Sequence, residues 1–224
     1  MTDRPSKLAA VLPAFAATKS SSSKAKSGTT PTTSPSDGPE IRRAAPNGLA
    51  SAEWSKIRPA LLGELLEAFK DGSHPILMHG PAGTGKSCAS ACLFQRWRHG
   101  VARWYRLEQF VRDIQTARRC GHVTHQVNGK PVDRTERTLW QFVENGRELW
   151  CLDDFGTRGA TESAFDIIFE LIDRRAKRPT IITSNLGLSE LVQLFDRRIA
   201  DRISAGTVIE VTGKSRRKGR RVKA

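Results

Sequence analysis

A glycine-rich segment at residues 80–87 constrains the fold of this chain more than any other feature. It reads G-P-A-G-T-G-K-S and fits the pattern G-x-x-x-x-G-K-S. A short apolar run at residues 75–78 precedes it, and residues 88–94, of helix-compatible composition, follow it. Strand, glycine loop and helix in this order form a phosphate-binding unit, because glycines let successive backbone N–H groups surround an anion. The sequence therefore predicts a nucleotide phosphate site here.

Every residue of this loop is a candidate ATP-binding residue: Gly80, Pro81, Ala82, Gly83, Thr84, Gly85, Lys86 and Ser87. Lys86 is expected to reach the β- and γ-phosphates as a point charge, and the Ser87 hydroxyl to ligate Mg²⁺. ATP and Mg²⁺ are the expected cofactors. A glycine-rich turn without a ligand is the alternative, and the flanking strand and helix disfavour it.

The overall charge indicates the kind of partner. The chain has 224 residues, enough for one α/β domain with appendages, and a formal net charge of +14. Such an excess of Lys and Arg favours a polyanionic partner, although a solvated basic surface without a partner is the alternative. No apolar run approaches the length of a membrane span, so we expect no membrane association.

The spacing of the four cysteines indicates the redox state of the compartment. They lie at positions 88, 92, 120 and 151 without a C-x-x-C pair. We expect buried thiols in a reducing, cytoplasmic compartment. A zinc site is not expected, because Cys120, His122 and His125 match no usual ligand spacing.

A cleaved signal peptide at residues 8–16 is disfavoured, because that apolar run is short and contains Pro13.

Composition divides the chain into three parts. Residues 1–47 are predicted to be a disordered tail, because the part from 18 to 46 is rich in Ser, Thr, Pro, Lys and Gly. The tail has one short apolar segment at residues 5–16, which is either a docking segment or an unspecific sticky tail. Residues 48–213 form the nucleotide-binding domain, and residues 214–224 form a basic C-terminal tail.

Short apolar runs alternate with segments of helical periodicity, which predicts an α/β fold with a parallel sheet flanked by helices. Strands are predicted near residues 75–78, 101–105, 149–152, 180–183 and 208–211, and helices near 57–69, 107–114, 135–143, 165–172 and 189–206. The last helix is expected to be capped by Ser189 and to break near Asp196. Asn128 and Gly129 indicate a hairpin at residues 123–132.

Polar residues follow two of these predicted strands. Asp153 and Asp154 follow the apolar run at 149–152, and Asn185 follows the next strand. The carboxyl ends of parallel strands are where open α/β sheets bind ligands. We therefore assign Asp153 to Mg²⁺, through water or Ser87, Asp154 to orienting the attacking water, and Asn185 to sensing the γ-phosphate. Solvated acids and an ordinary turn residue are the alternatives.

Two arginines near the end of the domain share a helical face. Arg198 and Arg202 are four residues apart. An arginine from a neighbouring subunit can neutralise transition-state charge in nucleotide hydrolysis. Arg202 is the candidate for that catalytic role, with Arg198 assisting. Solvation, or pairing with Asp196 and Asp201, is the alternative.

Taken together, these segments resemble the ordered boxes of the DnaC/DnaI/IstB-like AAA+ ATPases. The resemblance rests on residues 80–87, 149–156, 181–186, 189–191 and 198–203. It implies a P-loop NTPase fold of the AAA+ type over residues 48–213, with an abbreviated C-terminal lid because no helical segment follows Gly213. It also implies ATP-bridged homo-oligomers on single-stranded DNA, in which one subunit's arginine completes its neighbour's site.

Members of this family load replicative helicases or assist transposases. Helicase loading is the first functional expectation, and an IstB-like transposition helper is the alternative. Loaders usually carry a folded N-terminal domain, which this sequence does not predict. The family places its DNA-facing element between two core strands, and the basic candidates there are Arg118, Arg119, Lys130, Arg134 and Arg137.

Basic and aromatic residues interleave at 95–99 and 103–106, a combination found where proteins bind single strands, although Trp97 and Trp104 suit a core better than DNA.

Three other functions compete with a DNA-associated AAA+ ATPase. A small P-loop kinase would use the same loop but leave Asn185, Arg202 and the charge without roles. A nucleotide-gated DNA-binding module with little turnover is also possible. A GTPase is disfavoured, because no N-K-x-D motif occurs.

Overall fold

A computed structural model describes residues 49, 52–97, 100–127, 129–156 and 161–215. The predicted N-terminal tail, its apolar segment, Arg98, His99, Asn128 and the basic run from residue 216 lie outside the described residues. The strands are β1 (Ile76–His79), β2 (Ala102–Arg106), β3 (Val123–Val127), β4 (Lys130–Arg134), β5 (Leu149–Phe155), β6 (Thr180–Ser184) and β7 (Thr207–Glu210). The helices are α1 (Pro59–Lys70), α2 (Lys86–Arg96), α3 (Leu107–Cys120), α4 (Glu136–Glu144), α5 (Glu162–Arg174), α6 (Leu188–Leu194) and α7 (Arg197–Ser204).

Five strands form one parallel sheet in the order β2-β5-β6-β1-β7. The strands β1, β5 and β6 lie in the interior of the sheet, and all of their residues are buried except His79 and Asp154, which are half-buried. The carboxyl ends of these three strands meet at one edge of the sheet. The predicted parallel sheet flanked by helices is therefore confirmed.

Each face of the sheet carries its own hydrophobic core, because successive side chains of a strand point to opposite faces. Ile76, Met78 and Cys151 pack with α1 and α2 on one face. Leu77 and Leu152 pack with α3, α4 and α5 on the other. The molecule is thus a three-layer α/β/α sandwich over the described residues.

Of three local predictions, the hairpin and the helix break are confirmed and the helix cap is wrong. The hairpin is confirmed as β3 and β4, an antiparallel pair outside the main sheet. The break before α7 is also confirmed, because the Asp196 side chain accepts from the Arg198 N–H and caps that helix. The predicted Ser189 cap is wrong: α6 begins at Leu188, and the Gly187 N–H donates instead to the Glu190 carboxylate.

The inward face of helix α5 partly matches its sequence pattern, in which Phe165, Ile168, Phe169 and Ile172 mark the apolar face. Its buried residues are Ile167, Ile168, Leu171 and Ile172. Phe165 and Phe169 are only partly buried and stack on each other, with ring centroids 6.4 Å apart. Aromatic residues are as hydrophobic as core residues, so the sequence pattern alone could not separate the two positions.

Arg175, at the end of α5, is 1% exposed and organises the amino-terminal edge of the sheet. Its guanidinium donates to the Thr180 hydroxyl and to four backbone carbonyls, those of Val143, Asn145, Glu148 and Pro179. Burial lowers the pKa of Arg175 to about 9. These bonds tie the end of α4, the loop after it and β6 together.

The expectation of four buried thiols is half wrong. Cys92 and Cys151 are buried, whereas Cys88 and Cys120 are exposed, and all four are free. Cys88 lies in the first turn of α2, and Cys120 is the last residue of α3, so neither packs against the sheet. None of the described helices combines the length and apolar character that crossing a membrane requires.

Candidate nucleotide-binding site

The glycine-rich loop joins β1 to α2, as its sequence predicts. Gly80 has φ +132°, and a Cβ there would lie 2.5 Å from the carbonyl oxygen of Val211. Gly85 precedes α2 in the left-handed region, at φ 107°, and provides no side-chain cap. The loop therefore leads into an uncapped helix N-terminus, whose backbone N–H groups and dipole favour an anion.

Lys86 connects the loop to the end of β6. Its ammonium group is buried and donates to the carbonyl oxygens of Gly80, at 2.6 Å, and Pro81, at 2.8 Å. It also donates to Asn185 Oδ1, at 3.1 Å. The structure thus brings together the predicted phosphate lysine and the predicted γ-phosphate sensor, which are 99 residues apart in sequence.

Asp153 is the centre of a second hydrogen-bonded group. Its Oδ1 accepts from Ser87 Oγ at 2.8 Å and from Thr183 Oγ1 at 2.5 Å. Burial raises the pKa of Asp153, while the bonds from Thr183 and Ser87 oppose that rise. The hydroxyl groups from α2 and β6 therefore stabilise a carboxylate whose burial is unfavourable.

Asp154 reaches the cleft through an irregularity in β5. The pairing of β5 with β6 shifts register between Leu152 and Phe155, and Asp154 has φ 57°, unusual for a residue other than glycine. Its N–H donates to Thr183 Oγ1 at 3.3 Å. Without this bulge, strict alternation would turn Phe155 away from the core in which it packs.

The Asp154 side chain is 47% exposed, and its Oδ2 lies 4.0 Å from Arg106 Nε at the end of β2. Asp153 and Asp154 are thus adjacent in sequence but differ in surroundings. Asp153 is buried among hydroxyls, whereas Asp154 is open to water and faces a cation. Their separate roles, holding Mg²⁺ and orienting the attacking water, stay predictions.

These groups line one open cleft of about 690 Å³. Its apolar end comes from the segment before α1 and from α1 itself, with Leu49, Ala52, Ile57 and Leu61. Its polar end holds the loop residues from Ala82 to Ser87 together with Arg106, Asp153, Asp154, Thr183, Ser184 and Asn185. An apolar surface beside a phosphate-binding loop suits the base and the phosphates of a nucleotide.

The donor atoms suit Mg²⁺. Mg²⁺ is usually held by one or two carboxylates together with substrate phosphates and water. Ser87 Oγ and Asp153 Oδ1, 2.8 Å apart, offer one hydroxyl and one carboxylate facing the cleft. Within the described part of the chain, no group of three or more His, Cys, Asp or Glu residues could hold a metal ion.

The predicted arginine pair lies elsewhere. Arg198 and Arg202 are on α7, and neither is among the described residues that line the cleft. Arg202 Nε donates to Asp173 Oδ1 at 2.6 Å, and Arg198 pairs with Asp196 at 3.2 Å. Both guanidinium groups lie over the Phe169 ring, that of Arg198 at 5.3 Å and that of Arg202 at 6.0 Å from the ring centroid.

The candidate DNA-binding cations lie on α3, the hairpin and α4. Arg119, Lys130 and Arg137 are exposed. Arg118 pairs with Glu136 at 2.8 Å, and Arg134 Nη1 contacts His125 Nδ1 at 2.8 Å. Four of the five are therefore exposed, although Arg118 is paired with α4, whereas Arg134 is half-buried within the hairpin.

The aromatic residues of the stretches at 95–97 and 103–106 belong to the core. Trp97 is buried, and Trp104 packs against the same core. Arg103 forms a largely buried ion pair with Glu148 at 2.5 Å and lies 3.8 Å from the Phe142 ring centroid. Among the described residues of these stretches, Arg96 and Arg106 are exposed.

Sequence reasoning missed Thr183, Arg106 and Arg58 as members of the cleft. Thr183 could have been found, because it is a hydroxyl residue at the end of a strand that was already assigned. Arg106 could have been found in the same way, because it directly follows the strand predicted at residues 101–105, whereas only the position of α1 brings Arg58 to the cleft.

The strand order and the loop that joins β1 to α2 define a P-loop nucleotide-binding fold of the AAA+ type. A family model described as "IstB-like ATP binding protein" matches residues 62–224. The chain therefore belongs to the IstB-like ATP-binding protein family, as the resemblance in its sequence implied. No curated protein sequence matches it significantly.

Solved structures share the fold at low sequence identity. The DnaC helicase loader is 16% identical, with a TM-score of 0.53 over 68% of this chain and 88% of that chain. DnaI is 18% identical, with a TM-score of 0.54 over 77% and 93%. The replication initiator DnaA, bound to AMPPCP and single-stranded DNA, is 17% identical, with a TM-score of 0.52 over 70% and 46%. This chain thus spans less than half of that DnaA chain.

Proposed function

We propose that this protein hydrolyses Mg-ATP as a homo-oligomer on DNA and acts as a loader of a replicative helicase. The hydrogen-bonded group of Ser87, Asp153 and Thr183 carries the proposal. One hydroxyl and one carboxylate thus lie in the same cleft as Lys86, where the terminal phosphates of a nucleotide would bind. A simple nucleotide-binding turn requires no such buried carboxylate.

Each residue of the cleft has a defined task in this proposal. Lys86 exchanges its bonds to loop carbonyls for bonds to phosphate oxygens. Ser87 and Asp153 hold Mg²⁺, which neutralises phosphate charge when it is bound. Asp154, open to water, orients the attacking water molecule. Asn185, already bonded to Lys86, contacts the γ-phosphate and distinguishes ATP from ADP.

The position of Arg202 supports a shared site. It lies outside the cleft of its own chain, on the partly exposed surface formed by α5 and α7. A catalytic arginine in that position can act only on the nucleotide of another copy. Turnover should therefore require assembly, and removing this arginine should lower kcat by about 10³-fold.

The first experiment measures ATPase rate against protein concentration, with and without single-stranded DNA, for wild type, Lys86→Ala and Arg202→Ala. We expect the rate per subunit to rise with concentration and with DNA, and to be lost in both variants. Arg197→Ala is the matched control, because Arg197 is an exposed arginine on the same helix. Wild-type turnover in Arg202→Ala would refute the shared site.

A mixing experiment tests whether the arginine acts between subunits. Lys86→Ala subunits retain Arg202, and Arg202→Ala subunits retain the phosphate loop. We expect the mixture to recover part of the wild-type rate, because some interfaces combine one intact half from each variant. A mixture as inactive as its components would contradict action in trans.

A further measurement addresses the small-molecule kinase. Phosphate transfer from ATP to a small molecule would favour a kinase over an ATPase.

A transposition helper is the second candidate, and the IstB-like family model favours it. The two candidates differ in the protein that responds to ATP. A loader should deposit a replicative helicase on single-stranded DNA in an ATP-dependent manner. A helper should instead bind a transposase and increase strand transfer. Testing the full chain in both assays, with Lys86→Ala as the control, separates them.

A further inference from the structure

Arg58 lies in the nucleotide cleft without a partner for its charge. It is partly buried and lines the same cleft as Lys86. Among the described residues, no carboxylate or other acceptor bonds to its guanidinium. The other cleft cations are occupied: Lys56 pairs with Glu53 at 3.0 Å, Lys86 bonds to carbonyls and Asn185, and Arg106 faces Asp154.

The local position of Arg58 is unfavourable for folding. Arg58 is the N-cap of α1, and its side chain makes no cap hydrogen bond. Arginine has only donors, so it cannot accept the free N–H groups of the first turn. A positive charge also opposes the positive end of the helix dipole. A residue that conflicts with its local structure in this way often has a functional reason.

The guanidinium is directed toward the residues that cover the phosphate loop. A Cβ on Gly213 would lie 3.1 Å from Arg58 Nη1. Gly213 itself follows Val211, whose carbonyl lies against Gly80, and precedes Ser215, whose hydroxyl lies against Gly83. Arg58 is therefore next to the segment that lies along the loop.

We propose that Arg58 binds the phosphate chain of the nucleotide within its own subunit. This inference rests on the proposed function, because it needs a nucleotide in the cleft. The guanidinium would supply a second fixed cation opposite Lys86, from the segment that also provides the apolar end of the cleft. Phosphate oxygens would satisfy the donors that no described residue accepts.

The test compares wild type, Arg58→Ala and Lys70→Ala by displacement of a fluorescent ATP analogue. Lys70 is an exposed cation at the far end of α1 and controls for the lost charge. The competing probes are ADP and inorganic tripolyphosphate, which has a phosphate chain but no base. We expect Arg58→Ala to weaken both by about tenfold, the loss typical of one charge-assisted hydrogen bond. Lys70→Ala should weaken neither.

Two outcomes would overturn the proposal. One is an unchanged affinity of Arg58→Ala for both probes. The other is a loss for ADP with none for tripolyphosphate, which would place Arg58 on the base or the sugar. If wild type binds neither the analogue nor ADP, the proposed function itself fails, and this result is distinct from the other two.

A second variant separates a binding role from a structural one. Arg58→Ser places a good N-cap acceptor at the start of α1. We expect its apo form to melt at a higher temperature than wild type while its affinity for ADP falls as in Arg58→Ala. An Arg58→Ser variant that loses stability and affinity together would indicate that Arg58 only supports the fold.

Discussion

At the scale of single residues, Asp153 shows a conflict between stability and function. Its carboxylate is buried, and burial raises its pKa. Near neutral pH the ionised form therefore lowers the stability of the folded protein. Two hydroxyl hydrogen bonds offset part of this cost and fix the carboxylate beside Ser87.

We predict that Asp153→Asn melts at a higher temperature than wild type without nucleotide, because the amide keeps an acceptor for both hydroxyls but carries no charge. Its ATPase rate should fall by about 100-fold or more, since it loses the charge proposed to hold Mg²⁺. Calorimetry and a steady-state ATPase assay measure the two effects. Asp166→Asn, at an exposed position of α5, should change neither. An Asp153→Asn protein that is less stable than wild type would contradict the argument.

The sequence could not predict all residues of the site equally well. Lys86, Ser87, Asp153 and Asn185 were assigned because each lies in or directly after a recognisable motif. Arg58 was not assigned, because its role depends on where α1 packs relative to β7. Position along the chain thus identifies residues at strand ends, whereas contacts between distant elements remain hidden.

At the scale of elements, the hairpin of β3 and β4 stands apart from the main sheet. It is fastened to α3 through His125, whose Nε2 lies 2.8 Å from Asp113 Oδ2 and whose Nδ1 contacts Arg134. Asp113 is 3% exposed. The hairpin therefore has a fixed position, and the exposed cations around it keep a defined arrangement.

We predict that replacing Arg119, Lys130 and Arg137 together with alanine weakens binding to single-stranded DNA. If each contacts one phosphate, the slope of log affinity against log salt should fall by about 2, at roughly 0.7 per phosphate. Fluorescence anisotropy at several salt concentrations measures this slope. Replacing Lys70 and Arg197, exposed cations on other helices, should leave it nearly unchanged. An unaltered slope in the triple variant would exclude this surface.

Sequence periodicity predicted the elements better than their orientation. Short apolar runs identified β1 and β5, and Ile181 with Ile182 identified β6, because strands covered on both faces are rich in apolar residues. The inward face of α5 includes the predicted Ile168 and Ile172, whereas Phe165 and Phe169 pack beneath the arginines of α7 and are only partly buried. Only the packing of the two helices reveals this.

At the scale of the whole molecule, Arg175 and His74 affect the stability of the fold from within. His74 is 3% exposed and packs edge-on against Phe69, with ring centroids 5.0 Å apart. Burial, aided by the charge of Arg175, lowers the pKa of His74 to about 4. Neither buried position could be predicted from the sequence, because arginine is mostly exposed in proteins and histidine is only of intermediate burial.

We predict that the folded protein loses about 3 kcal/mol of stability as the pH falls from about 6.5 to 4, because the unfolded chain binds a proton to His74 before the folded protein does. The raised pKa of Asp153 acts in the opposite direction, since protonation relieves the cost of its burial. Urea unfolding at several pH values measures the effect. His74→Gln should flatten the dependence in this window, whereas His122→Gln, at an exposed site, should preserve it. Equal slopes in all three proteins would contradict this role of His74.

The bulge in β5 has a consequence for how the site can change. Because it alters the phase of the strand by one residue, Asp154 lies at the cleft and Phe155 in the core through the count of residues along β5 rather than through a flexible loop. An insertion of one residue before Asp153 would turn its carboxylate toward the packed side of Leu152. The chemistry at the tip of this strand therefore constrains its length.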